Sequence, residues 1–475
     1  MKPGFPNEMA GGAALHRGLH HDRAAKPCSN RWHALLTATA FLVAPAPAFA
    51  IASSFTMAEV IGYNEPAPPL TIERIEKLPE SQQAAWRDYL RRSEAQLKTD
   101  RAALAAELKP GETPPLPAKP GSGDQGMPLD RAPDWYASAA AHSVADTIVS
   151  FQTPAGGWAK NQDRAGPRRL PGQPFSSDGG AAKPDSSNFD APRDAQWTYV
   201  GTLDNGATIT EMAFLARVAE ASPGREGDGY RASFIRGVRY LLAAQYPNGG
   251  WPQVWPLQGG YHDGVTFNDN AVAQAAMLLR AVATEPRYRF VPAPLRTEAA
   301  SAVQRAIEVI LAAQVKRGDR LTGWPQQADS LTLAPISARN YEPRSIASAE
   351  STDVLLFLMQ QPRPSAEVRK AIEGGIAWLH ESAIYDQAWT GKGTPEGRRL
   401  VPQKGAGPIW SRNYDIATNR PIFGDRDKSI HDDVLGISIG RRNGYSWYVT
   451  QPERALAAYA DWQKRLKNEA ANARQ

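Results

Sequence analysis

The chain has 475 residues, enough for one large domain or two ordinary ones. With 42% hydrophobic and 22% charged residues its composition is that of a soluble globular protein, which excludes a disordered or membrane-embedded chain. The net charge is +5, but beyond residue 50 the balance is 49 Lys and Arg against 47 Asp and Glu, which excludes nucleic-acid binding by bulk charge and leaves polyanion recognition to local clusters.

Residues 1–50 read as a secretory signal behind an unusually long leader. Arg31 and His33 precede the apolar run Ala34 to Val43, and Ala48-Phe49-Ala50 offers small residues where a signal peptidase cuts. The run is too short to span a bilayer, so the expectation is a secreted protein cleaved near Ala50, with no membrane association. Cleavage removes Cys28, the only cysteine, and with it any disulfide, thiolate metal site or cysteine nucleophile.

Residues 51–133 form an N-terminal extension. Glu80 to Leu108 is rich in Ala, Glu, Arg and Leu and reads as an amphipathic helix or a pair. Lys109 to Pro133 is rich in Pro and Gly and reads as a linker or an extended wrap. The main domain is expected over 134–466. Its helices are predicted at 134–151, 207–221, 229–245, 270–284, 297–315, 346–360 and 365–383, with Thr297 and Ser365 as N-caps and Pro247 and Pro362 as stops. A hairpin is predicted between Trp410 and Phe423. Two helices end alike, in Gln152-Thr-Pro-Ala-Gly156-Gly-Trp158 and Gln245-Tyr-Pro-Asn-Gly249-Gly-Trp251, and Gln314 before Gly323-Trp324 is a looser third copy. Repeated helix–turn–Trp units imply helical hairpins around a common axis, with long loops gathered at one end. The fold class is therefore all-α, an α/α toroid or incomplete (α/α) barrel, with a few short strands in the C-terminal third.

The loops carry the polar residues. Thr202-Leu-Asp204-Asn205 precedes one helix, and Tyr261-His262-Asp263 with Asn268-Asp269-Asn270 precedes another. Such residues serve as N-caps, and Asp269 is placed as one. Asp204, Asn205 and Asp263 also offer the oxygens that Ca²⁺ prefers. Zinc is disfavoured, since His262 has no second histidine in range. Arg339 and Glu342 share a Pro-rich loop that is either a helix start held by their ion pair or a loop presented to a cleft. Lys160-Asn161 is either an exposed loop or part of the same cleft. Between Trp410 and Tyr448 five arginines lie among six aromatic residues. Guanidinium forks suit carboxylates and aromatic faces suit sugar rings, so the stretch points to an acidic carbohydrate unless its arginines simply pair with Asp415, Asp425, Asp427 and Asp432.

Taken in order, Gly156-Gly-Trp158-Ala-Lys160-Asn161, Leu203-Asp204-Asn205, Gly250-Trp-Pro-Gln253-Val, Gly259-Gly-Tyr-His262-Asp263 with Phe267-Asn268-Asp269, Arg339-Asn-Tyr341-Glu342-Pro343 and Gly424-Asp425-Arg426-Asp427 through Arg441 to Tyr448 resemble the family 10 pectate lyases. The resemblance runs from about Asp134 to Ala460 and leaves residues 51–133 outside it. It implies a calcium-dependent lyase on an (α/α) barrel, acting as a monomer, that cleaves α-1,4-polygalacturonate by anti β-elimination. Carried over residue by residue, it makes Asp204, Asn205 and Asp263 the calcium-site residues, with Asp263 favoured over Asp269 in a loop that leaves the choice between them open, and Arg339 the Brønsted base. It makes Lys160, Tyr341, Arg412, Arg426 and Arg441 substrate-binding. Glu342 is the fallback base.

Three rivals stay in view. Gln-x₃-Gly-x-Trp is also the spacing of a terpene-cyclase-like toroid, against which stand the signal and the Arg-rich loops. A glycoside hydrolase on an α/α barrel would use an acid–base pair such as Asp204 and Glu342. A non-catalytic carbohydrate binder would keep the cleft and leave Arg339 idle.

Overall fold

The computed structural model describes residues 59–122, 126–177, 188–191, 194 and 197–472. The expected leader, its apolar run and the cleavage position at Ala50 lie outside these residues. No helix among the described residues is long and apolar enough to cross a membrane.

The helices are α1 (Ile72–Ile75), α2 (Glu80–Ala105), α3 (Ala139–Ser150), α4 (Ile209–Ala221), α5 (Asp228–Ala244), α6 (Ala271–Thr284), α7 (Ala293–Ala313), α8 (Ser348–Met359), α9 (Ala366–Glu381), α10 (Ile439–Asn443) and α11 (Pro452–Asn472). Apolar periodicity explains the outer ones. In α9 the buried residues Val368, Ala371, Ile372, Gly375, Ile376 and Leu379 repeat at helical spacing and form one stripe. In α4, α6 and α8 most residues are buried, so these helices lie inside. The inner helices neighbour one another and pack on α5, α7 and α9 respectively, while α11 covers α8 and α9. Two rows of antiparallel helices in this order make an incomplete α/α toroid.

The predicted caps met different fates. Ser365 accepts from the Val368 N–H at the start of α9, as expected. Thr297 does not cap α7, which starts at Ala293 with a proline in its first turn; the Thr297 hydroxyl instead donates to the Ala293 carbonyl inside the helix. The segment from Trp410 to Phe423 is a hairpin only at its tip, where Tyr414 bridges Pro421. Its strand residues pair elsewhere, Trp410–Ser411 with Tyr448–Val449 and Asn413–Tyr414 with Ile346–Ala347. Two strands precede the C-terminal third, Val60–Tyr63 and Val265–Thr266.

The repeat has a physical cause. A helix leaves its last four carbonyls without intrahelical donors. The Trp158 indole N–H donates to Ile148 O (2.7 Å), Trp251 to Leu241 O (2.8 Å) and Trp324 to Ile310 O (2.7 Å), each carbonyl in the last turn of the preceding helix. A fourth copy is visible only in three dimensions, with Trp410 donating to Leu379 O (2.7 Å) at the end of α9. The glutamine after each of the first three helices ties that helix to the next outer one. Gln152 donates to Ser233 O in α5, Gln245 to Ala302 O in α7 and Gln314 to Ala371 O in α9, each at 2.9 Å. The glycine before the tryptophan permits the close approach, since a Cβ on Gly157 would lie 2.6 Å from the Tyr240 ring and one on Gly250 equally near Val265.

The extension belongs to the same body. The described residues from 59 onward form one compact unit, and Trp86 and Tyr89 of α2 pack against Tyr246 with ring centroids 5.1 and 4.8 Å away. The Tyr89 hydroxyl donates to Ala244 O (2.8 Å), and Val60–Tyr63 adds a strand to Ser429–His431, which pairs in turn with Phe423–Gly424.

Replacing Gln245 by Leu strips donors from Gly249 O and Ala302 O and the acceptor from Arg305. Urea denaturation should show a loss of about 2–3 kcal/mol, against under about 0.5 kcal/mol for the exposed Gln304→Leu. Asp100, fully buried in α2, supplies a pH test. Burial pushes its carboxyl up to about 6 against the bond from Gln96. The folded protein holds this proton more tightly than the unfolded chain, so the group's stability is complete below the ordinary carboxylate value and is lost as pH rises through about 6. Asp100→Asn should therefore raise Tm at pH above that value, with a gain that shrinks in acid.

Candidate active site

The residue two positions beyond each clamped tryptophan is Lys160, Gln253, Gln326 and Arg412, and all four line one polar cleft of about 310 Å³ at the loop end of the toroid. Side chains return to the same side of an extended chain every second residue. An anchored tryptophan thus fixes where its second neighbour points. Lys160, Arg412 and the 339–342 loop were read from sequence as parts of a cleft, and the structure brings them together; Gln253 and Gln326 were missed, although the shared Trp offset could have found them.

The loops before the inner helices supply the carboxylates. Asp204 opens the segment leading to α4 and Asp269 the one leading to α6. Asn161, Tyr199, Asn205, Asp269 and Asn270 all adopt positive φ here, a conformation that Asn and Asp tolerate and that is strained for Tyr199. Asp204 accepts from Lys160 Nζ (2.5 Å) and Gln253 Nε2 (2.9 Å), and shares a side-chain hydrogen bond with Asp269. Asp269 also accepts from the Asn205 N–H (3.1 Å). Burial works to raise the Asp204 carboxyl, and the Lys160 ammonium outweighs it, holding Asp204 below the usual carboxylate range. Burial and then Asp204 itself push Asp269 well above that range.

Two sequence expectations change. Asp269 is no N-cap; Asn270 holds that position before α6, and the Asp269 carboxylate turns to Asp204. Asp263 does not reach the cleft lining. Its carboxylate accepts from the Gly259 N–H (2.9 Å) and its carbonyl from the Tyr246 hydroxyl (2.6 Å), a loop-closing role that puts Asp269 beside Asp204 instead.

Opposite stands Arg339, whose Nε and Nη2 donate to the two Glu342 oxygens at 2.8 and 2.6 Å. Burial works to lower the guanidinium's pKa, but the Glu342 charge outweighs it and the net shift is upward. Glu342 is 3% exposed, also accepts from the Tyr445 hydroxyl (2.9 Å), and is held below its ordinary value by Arg339 against the effect of burial. Both readings of this loop hold at once: it is an ion-paired turn, and it faces the cleft. Arg412 reaches the cleft with Nη2 on Glu350 Oε1 (2.5 Å) and Asn268 Oδ1 (2.8 Å).

The remaining arginines are placed differently from the expectation. Arg441 is 5% exposed, lies 3.9 Å over the Tyr341 ring and donates to Gly444 O, so it backs the cleft wall without lining it. Arg426 is exposed, 3.8 Å from Asp190 and beyond the lining. Tyr341 does line the cleft. Tyr199, Tyr261 and Tyr445 line it without having been foreseen; Lys160 Nζ sits 3.4 Å above the Tyr199 ring, and the Tyr199 and Tyr261 hydroxyls are 2.9 Å apart.

Glu350→Ala would leave Arg412 buried and uncompensated, so chemical denaturation should show a loss of about 3–5 kcal/mol. Arg426→Ala should leave stability near the native value.

This arrangement has relatives. The family model for pectic acid lyase matches residues 152–456. A solved family 10 polysaccharide lyase from Cellvibrio cellulosa is 32% identical over 71% of this chain and 96% of that one, with a TM-score of 0.57. A mutant of a family 10 polysaccharide lyase from Cellvibrio cellulosa, in complex with trigalacturonic acid, is also 32% identical over 72% of this chain and 99% of that one, with a TM-score of 0.58. No curated protein matches the chain. On these matches, and in line with the ordered motifs, the chain belongs to the pectic acid lyases, as a family 10 polysaccharide lyase acting on pectate.

Proposed function

We propose that this lyase cleaves α-1,4-polygalacturonate by calcium-assisted anti β-elimination, with Arg339 as the base, and that it is exported after cleavage near Ala50. The observation that carries the reading is the cleft itself, in which a touching carboxylate pair faces three cationic side chains, Lys160, Arg339 and Arg412. The trigalacturonic acid in the Cellvibrio complex supports the substrate class.

The residues present fit a calcium ion. A buried and a half-buried carboxylate pressed together, one of them pushed well above the usual carboxylate range, form a site that a divalent cation would relieve. Asp204 and Asp269 would hold it with the Asn205 amide, and Asp269 replaces Asp263 in this proposal. Among the described residues no three His, Cys, Asp or Glu side chains gather, so water and a substrate carboxylate would fill the shell, in keeping with the flexible oxygen coordination of Ca²⁺. A bound ion would neutralise a substrate carboxylate and so acidify the adjacent C5 proton.

The chain's own groups do the rest. Lys160 and Arg412 present positive charge that Asp204 and Glu350 already compensate, which preorganises them for the charge that develops on the substrate carboxylate. Arg339 keeps Nε and Nη2 on Glu342, which leaves Nη1 for substrate. The base takes the C5 proton, the C5–H electron pair becomes the C4–C5 double bond, and the C4–O4 bond breaks toward the leaving sugar, whose oxygen is protonated by water. Glu342 opposes deprotonation of Arg339, so the base role depends on the crowding of cations around bound substrate, and activity should climb into the alkaline range. Glu342 is a weaker candidate. Its oxygens already accept from Arg339 and Tyr445, which also weakens the hydrolase alternative built on Asp204 and Glu342.

The test is ultraviolet absorbance of the unsaturated uronide on polygalacturonate, with calcium and then with excess chelator. A rise that chelator abolishes is expected, with Arg339→Ala lowering kcat by about 10²–10⁴ and Asp269→Asn raising the calcium needed. New reducing ends without absorbance would mean a hydrolase. Neither signal would leave a binding protein.

A further inference from the structure

We propose that Asn64, directly after the N-terminal strand Val60–Tyr63 and outside the family-matched residues 152–456, is a positioning residue that fixes the Arg339–Glu342 turn. The proposal rests on the reading that Arg339 acts in the elimination.

Asn64 is 7% exposed, and its Nδ2 faces three carbonyls of that turn: Arg339 O at 3.0 Å, Asn340 O at 3.2 Å and Glu342 O at 3.2 Å. Its own N–H donates to Lys428 O (2.7 Å), continuing the pairing of Gly62 with Ile430 and Tyr63 with Ser429. The next residue accepts from the turn's other flank, Ser337 Oγ to Glu65 O. Within the turn, the Glu342 N–H closes on Arg339 O (2.9 Å) and the carboxylate holds the guanidinium. These bonds fix Arg339 relative to its own turn only. Asn64 fixes the turn to the strand that pairs with Ser429–His431. The three carbonyls converge on one amide; without it Arg339 O keeps only the Glu342 N–H and Glu342 O only the Ala338 N–H (3.1 Å), while Asn340 O loses the bond from Asn64, which leaves a buried acceptor short of a donor. A reacting group displaced by about 1 Å can lose about 10²-fold in rate.

Asn64→Ala should lower kcat by about 10- to 10²-fold with KM little changed, and Asn64→Gln, which restores an amide donor, should recover part of it. Asn64→Ser is the milder variant if alanine does not fold. Arg74→Ala, which breaks a separate anchor of the same segment to Asp329 (2.7 Å), should lower Tm while leaving kcat intact. Hydrogen exchange of the peptide spanning residues 337–343 reads the turn without any chemistry, and should quicken in Asn64→Ala but not in Arg74→Ala. Native kcat and native exchange in Asn64→Ala would overturn the proposal, and so would an equal loss of kcat in Arg74→Ala. A native protein that yields no unsaturated product would refute the lyase reading, with the exchange experiment still deciding whether Asn64 holds the turn.

Discussion

The architecture depends on one hydrogen bond made four times, from a buried indole N–H to a carbonyl in the last turn of the preceding helix. It brings a donor to the last helical turn, where intrahelical donors run out, and it does so with the largest apolar side chain available, so capping and core packing coincide. The consequence is functional. Each tryptophan fixes the chain that leaves the helix, and its second neighbour, Lys160, Gln253, Gln326 or Arg412, is delivered to the same cleft. Four separate hairpins thus contribute one polar side chain each to a common site.

The site's electrostatics follow from burial. Lys160 pairs with Asp204, Arg339 with Glu342 and Arg412 with Glu350, each with a carboxylate that is nearly inaccessible. Such pairs fix the direction of the cations before any ligand arrives, which is what recognition of a polyanion requires. Asp269 breaks this pattern. Its direct partners are Asp204 and the Asn205 N–H, and its carboxyl is pushed up where the others are held down. That asymmetry is what supports placing the proposed cation at the carboxylate pair rather than among the basic residues.

Much of this was legible in the sequence. Helical periodicity and Gly/Pro stops located α3 to α9 to within a few residues at most ends, and the Gln…Gly-Gly-Trp repeat implied the toroid. The fourth copy was hidden because Trp410 lies 31 residues beyond the carbonyl that it caps, against 10 in the first two, with the paired strands Gln387–Thr390 and Arg399–Pro402 in between. Asp263, favoured over Asp269 from the sequence, stays out of the cleft lining for a local reason. The two share one loop, and which of them turns toward Asp204 is set by the positive φ of Asp269 and by the Gly259 N–H that Asp263 takes, neither of which composition displays. Arg441 misled in the same way, since an arginine among aromatic residues can face a ligand or stack on its own tyrosine.

Arg339 stands apart from the four residues placed by tryptophan. It is held by no indole clamp and comes from the long loop between Trp324 and α8, where the toroid's repeat gives no support. Its turn is gripped instead from outside the helical layers. Gly424 passes so close that a Cβ would lie 2.5 Å from Tyr341 O, and Asp190 and Asn188 bond the Asn340 backbone and side chain at 2.9 Å each. Asn64 takes the carbonyls. A residue proposed to do the chemistry is therefore the one that the repeat architecture leaves least constrained, and residues outside the helices supply the constraint. On this view the extension that lies beyond the family match is the fourth wall of the site's support, because a guanidinium fixed only to its own turn has a direction but no address.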